Sequence, residues 1–183
     1  MSTAENVKSI IEKAKVIVFD IDDTLLLSNS VKRYNGYTYV EDSRWNIENA
    51  TSNYYKDSEA PIGMLQLAEL LKPYIELGLK HIYALTSDSS TFAFINKSNR
   101  LREVYRDVFS YDNVLFVNNS NEKVEILECL YKRHEDTKRT EILLIDDKLE
   151  TLSLADKQGY IVIHTSTILD VYTRIAYGTE EIK

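Results

Sequence analysis

Cysteine, proline and glycine are all scarce in this chain of 183 residues, which has one, two and five of them respectively. The lone Cys129 cannot close an internal disulfide, which excludes a disulfide-stapled scaffold and suits a reducing compartment. So few prolines and glycines leave no flexible linker and no low-complexity tract. An excess of positive charge is also missing. The net charge is −7, which argues against duplex DNA or an anionic membrane as a partner. No apolar run approaches the length that spans a bilayer, and the N-terminus has no signal-like stretch. The protein is therefore expected to be soluble and cytoplasmic.

What remains is ordinary globular material, 44% hydrophobic and 28% charged, enough to bury one sizeable core. A single domain over residues 1–183 is expected. Ser2-Thr3-Ala4-Glu5 reads as a capping box opening a short helix to about Lys13. Continuous apolar runs at 16–19, 82–85, 114–117, 142–145 and 161–163 read as strands buried on both faces. Between them, helical spacing predicts helices over 62–77, with a kink at Pro73 and a stop at Gly78, and over 92–108. Further helices are expected around 124–131, over 149–158 and over 168–176, with Cys129 packed on an apolar helix face. Such alternation predicts an α/β fold: a Rossmann-like three-layer α/β/α arrangement with a mostly parallel sheet, its ligand site at the carboxyl ends of the strands.

Residues 28–60 break the pattern. They lack a long apolar period and carry Tyr34, Tyr37, Tyr39, Trp45, Tyr54 and Tyr55. A structureless loop of that length is uncommon in a compact domain, so a small cap insertion is expected. Its aromatics are expected mainly to pack the cap down, with stacking on a substrate as the alternative.

The chemistry collects where apolar runs end. Val16-Ile17-Val18-Phe19 gives way to Asp20-Ile21-Asp22-Asp23-Thr24. Strand alternation would point Asp20 and Asp22 the same way. Like charges that close repel unless a cation lies between them or one keeps its proton, so they suggest a metal site or a nucleophile paired with an acid. The second run ends in Thr86-Ser87-Asp88, Lys123 follows the third, and the fourth ends in Asp146-Asp147. On a parallel sheet these groups converge at one edge.

In order and spacing these segments resemble the haloacid dehalogenase superfamily, in its Asp-x-Asp-x-Thr phosphohydrolase branch. The resemblance covers about residues 14–27 and 61–165. It implies a phosphomonoester hydrolase working through an aspartyl-phosphate. Asp20 would be the nucleophile, Asp22 the acid and base, and Thr86 and Lys123 would steady the phosphoryl oxygens. The cofactor implied is Mg²⁺, held by Asp20, the backbone carbonyl of Asp22, Asp146 and Asp147. Asp23, Thr24 and Ser87 are expected on the substrate side, Asp23 through its backbone and local hydrogen bonds, and Ser87 as the alternative to Thr86.

The expected substrate is a small phosphorylated metabolite, with a nucleotide first and a sugar phosphate as the alternative. A receiver-type signalling module also gathers carboxylates, a hydroxyl and a lysine around Mg²⁺. It would, however, carry its acidic pair on the first strand and lack a counterpart of Asp22. A silent phosphate-binding module would be expected to lose Asp22. Asn96, Lys97 and Arg100 read mainly as a solvated helix face, with a loose resemblance to some nucleotidases of the superfamily, which carry a lysine on the same helix, as the alternative. No chemistry is expected of His81, His134 or His164, whose spacing suits no metal.

Overall fold

The computed structural model describes residues 3–27, 55, 58–88 and 91–179. Most of the expected cap over 28–60 therefore lies outside the described residues, as does Ser2 of the expected capping box.

The apolar runs become five strands: β1 (Val16–Asp20), β2 (His81–Ser87), β3 (Val114–Val117), β4 (Ile142–Asp146) and β5 (Ile161–His164). All four pairings are parallel, and the strand order is β3-β2-β1-β4-β5. The central strands β1 and β4 are buried along their whole length, because helices cover both sheet faces. The chain winds outward from β1 first to β2 and β3, then crosses to β4 and β5. That reversal opens a crevice beside the carboxyl end of β1.

Six helices complete the described fold: α1 (Thr3–Lys13), α2 (Ile62–Glu76), α3 (Thr91–Val104), α4 (Lys123–Arg133), α5 (Leu149–Lys157) and α6 (Thr165–Ala176). Alternation along β1 sorts them into layers. Ile17 and Phe19 join a core with residues of α1, α2, α3 and α6. Val16 and Val18 join a separate core with Val124, Leu127 and Leu130 of α4 and Leu152 and Ala155 of α5. The three-layer α/β/α arrangement follows from these two cores.

Where α2 crosses α6, a Cβ on Gly63 would come within 2.8 Å of Thr173 Oγ1 and 3.2 Å of Leu169 O, so any larger residue would have to push α6 aside. Pro73 is accommodated inside α2, and Gly78, at φ +67°, ends the turn that follows. Helix α3 stops at Val104, four residues short of the stretch expected from its spacing. Cys129 corrects another expectation. It lies about 200° around α4 from Leu127, and its side chain is exposed rather than packed.

Candidate active site

Three strands end in chemistry at one edge of the sheet. Asp20 is the last residue of β1, Thr86 and Ser87 close β2, and Asp146 closes β4. Register aligns Phe19 with both Ala84 and Ile145, which brings these ends level. Lys123 opens α4 after β3. The four expected segments thus meet in one cleft.

Face alternation divides that cleft in two. Asp20 and Asp146 share the side of the sheet covered by α4. There the buried Lys123 Nζ donates to Asp20 Oδ1 at 2.6 Å and to Asp146 Oδ2 at 2.8 Å. Burial depresses the affinity of Lys123 for its proton, but the two carboxylates outweigh it and hold its pKa above the ordinary lysine range. Burial also pushes Asp20 well above the usual carboxylate range, with Asp146 and Asp22 adding repulsion and Lys123 opposing it. The backbone N–H of Lys148 donates to Asp146 Oδ1 at 2.8 Å, which fixes that carboxylate.

Asp22 does not share Asp20's partners. The strand period stops at Asp20, and the turn after it takes the Asp22 carboxylate toward the end of β2 and helix α3. Tyr55 Oη donates to Asp22 Oδ1 at 2.7 Å, and Thr86 Oγ1 donates to Oδ2 at 3.1 Å. Lys97 Nζ reaches Oδ2 at 2.6 Å, Thr86 Oγ1 at 2.9 Å and Asp88 Oδ2 at 3.0 Å. Burial alone would raise Asp22, but Lys97, Tyr55 and Thr86 bring it below the usual carboxylate range.

The expectation of a solvated face is thus corrected. Lys97 is 0% exposed, while Arg100 donates from Nε to Ser58 O at 2.8 Å and steadies the backbone there. Nothing in the sequence around Lys97 marks it as buried. Its neighbours Asn96, Ser98 and Asn99 are polar, and the only signal was a lysine on the helix directly after Thr86.

The remaining site residues divide by accessibility. Ser87 Oγ pairs with Ser120 Oγ at 3.2 Å and is half-buried at the rim. Thr86 belongs to strand β2. Thr24, expected on the substrate side, is sealed from solvent, and its hydroxyl pairs with Thr165 Oγ1 of α6 at 2.8 Å. It holds the loop to α6. Asp23 adopts φ +54°, and its N–H donates to Leu26 O at 2.8 Å, which commits that donor to the loop.

The same loop meets the chain beyond residue 58, because Leu27 N–H donates to Glu59 O at 2.8 Å. His164, to which no chemistry was assigned, caps α6 and lies with Nε2 2.9 Å from Asp147 O. It holds the backbone of the acidic pair. His81 stacks on His134 at 4.2 Å, at the opposite end of β2 from Thr86.

Carboxylate oxygens of Asp20, Asp146 and Asp147 lie within 4.8 Å of one another. Asp147 Oδ1 is buried without a hydrogen-bond partner among the described residues. Burial and the neighbouring charges of Asp146 and Asp23 raise the Asp147 pKa. An all-oxygen, anionic donor set with one unpartnered buried oxygen fits a hard divalent cation such as Mg²⁺.

No protein-family model and no curated protein matches the sequence. Among solved structures, a chain from Bacteroides vulgatus described as a candidate beta-phosphoglucomutase is 13% identical, with a TM-score of 0.48 over 93% of this chain and 88% of that one. A predicted HAD-like family hydrolase from Porphyromonas gingivalis is 14% identical, with a TM-score of 0.47 over 83% of this chain and 91% of that one. At such identities and scores, neither likeness bears on the chemistry of this chain. Among the described residues, no helix is long and apolar enough to cross a membrane.

Proposed function

We propose that this chain is a phosphomonoester hydrolase of the haloacid dehalogenase type, using Asp20 as nucleophile and Mg²⁺ as cofactor. One observation carries the reading. A buried carboxylate, Asp20, is paired with a buried lysine and flanked by Asp146 and Asp147, beside a second carboxylate, Asp22, that is served by a different lysine. Two carboxylates in different electrostatic environments can divide the roles of nucleophile and proton carrier.

Asp20, Asp146 and Asp147 would hold the cation, with the backbone carbonyl of Asp22 as the fourth protein ligand implied by the motif. Bound there, Mg²⁺ would offset the repulsion between an anionic nucleophile and an anionic ester. An oxygen of Asp20 attacks phosphorus and forms the aspartyl-phosphate as the ester P–O bond breaks. Lys123 neutralises charge on Asp20 and the phosphoryl oxygens, and the Thr86 hydroxyl, whose single proton goes to Asp22 Oδ2 in the free cleft, turns to donate to one of those oxygens when the ester binds. Asp22 passes a proton to the departing oxygen. In the second half it removes a proton from water attacking phosphorus, which frees Asp20 and phosphate. The approaching phosphoryl group is itself anionic, so its arrival favours a proton on the otherwise ionised Asp22.

A small phosphorylated metabolite is the substrate class, with a nucleotide first and a sugar phosphate second. Asp20→Asn tests the mechanism. Phosphate release from p-nitrophenyl phosphate is expected to vanish while the circular dichroism spectrum is unchanged, and retained turnover would overturn it. Screening purified protein against nucleotides and sugar phosphates decides the substrate.

A further inference from the structure

Lys97 and Tyr55 are the least expected parts of the cleft, and the chemistry just described assigns neither a role. Lys97 is 0% exposed and directs its ammonium at Asp22, Asp88 and Thr86, which accounts for all three donors a lysine possesses. Buried ion pairs contribute little to stability, because desolvation cancels most of the attraction. Stability alone therefore gives no reason to bury this one.

The geometry does. Tyr55 Oη holds Asp22 Oδ1 while Lys97 and Thr86 hold Oδ2, so each oxygen of one carboxylate is separately fixed. The Tyr55 ring lies 5.2 Å from Lys97 Nζ, which ties the two clamping groups to each other. Asp22 nonetheless keeps 25% of its side chain exposed, so it remains reachable from the cleft. Tyr55 belongs to the stretch of chain between Leu27 and Glu59, whereas Lys97 comes from α3. The acid is thus oriented jointly by the insertion and the sheet domain.

We propose that Tyr55 and Lys97 are positioning residues for Asp22, and that their clamp sets the direction in which it presents a proton to the leaving oxygen. The inference rests on the phosphatase reading. In the step concerned, the Asp20 Oδ–P bond forms, the ester P–O bond breaks, and the Asp22 proton passes to the alcohol or phenol that leaves. A basic alkoxide needs that proton as it departs, whereas a p-nitrophenolate leaves without it.

Leaving-group dependence of kcat/KM therefore isolates the clamp, because kcat/KM reports the first irreversible transfer. Tyr55→Phe and Lys97→Met are each expected to lower kcat/KM for ethyl phosphate by about 10²-fold, in the range of general acid catalysis. For p-nitrophenyl phosphate the loss should stay within about fivefold, well short of that general-acid range. Equal losses on both substrates would indicate a merely structural role and overturn the proposal, as would no loss on either. Tyr55→Phe keeps the ring and so tests the proposal even where Lys97→Met fails to fold. Wild-type protein that leaves p-nitrophenyl phosphate intact would instead overturn the phosphatase reading itself.

Discussion

Replacing Lys123 with methionine removes the ammonium shared by Asp20 and Asp146 while keeping most of the side-chain volume. The two contacts measure 2.6 and 2.8 Å, and the three side chains are 1%, 4% and 0% exposed, so solvent cannot take over the lost charge. Breaking a buried pair from one side costs about 3–5 kcal/mol. At this chain length each kcal/mol lowers Tm by about 2–4 °C, which gives a fall of about 6–20 °C. The assay is thermal unfolding in EDTA at pH 7.5, with wild type, Lys123→Met, Asp20→Asn and the double variant forming a cycle.

Asp20→Asn should recover much of the loss in the Lys123→Met background, since it removes one of the carboxylates left unpaired. The deficit should also shrink as pH falls. Burial and like charges already hold Asp20 above its unfolded pKa, so its ionisation costs stability as pH rises through that interval and costs nothing below it. Without Lys123 the interval widens upward, and acidification toward the unfolded value near 4 closes the gap. A Lys123→Met protein within 1 kcal/mol of wild type at pH 7.5, or a deficit that grows on acidification, would refute the electrostatic account of this cleft.

Two further expectations concern the metal and the loop. EDTA should stop turnover and Mg²⁺ restore it. Mg²⁺ should also raise Tm more at pH 7.5 than at pH 5, because burial and neighbouring charge hold Asp20 and Asp147 above their unfolded values and protons compete with the cation at lower pH. Calorimetric scans with and without the ion measure this, and a pH-independent or absent shift would contradict the ligand set. Thr24→Val should cost about 1–2 kcal/mol, the value of the buried hydroxyl pair with Thr165, and leave KM unchanged. A raised KM with unchanged Tm would return Thr24 to the substrate side.

Composition and local pattern were sufficient for much of this molecule. Each strand is a short apolar run, and each run that ends in polar residues does so at the same edge, because parallel connections return every strand in one direction. Asp20, Thr86 and Asp146 were legible for that reason, since a strand end has a definite place in such a sheet, and Lys123 because it opens the helix that follows β3. The Asp22 side chain was not, because alternation holds only while the strand lasts. Its carboxylate therefore parts from the side of Asp20 and meets α3.

Thr24 shows the same limit. A hydroxyl next to a reactive loop reads as a ligand, and only the packing of α6 against that loop shows it sealed away. Cys129 went wrong over a rotation of two residues around a helix, which moved it from the core to the surface.

The sequence by itself determined the sheet, its two apolar faces and the presence of carboxylates, hydroxyl and lysine at one edge, since each follows from residues near one another in the chain. Only the tertiary structure decided which cation serves which carboxylate. Lys97 is 75 residues from Asp22 and Lys123 is 103 from Asp20. Those partnerships depend on how α3 and α4 are rotated against opposite faces of the sheet, and around Lys97 the polar run from Asn96 to Arg100 gives no apolar stripe from which to read that rotation.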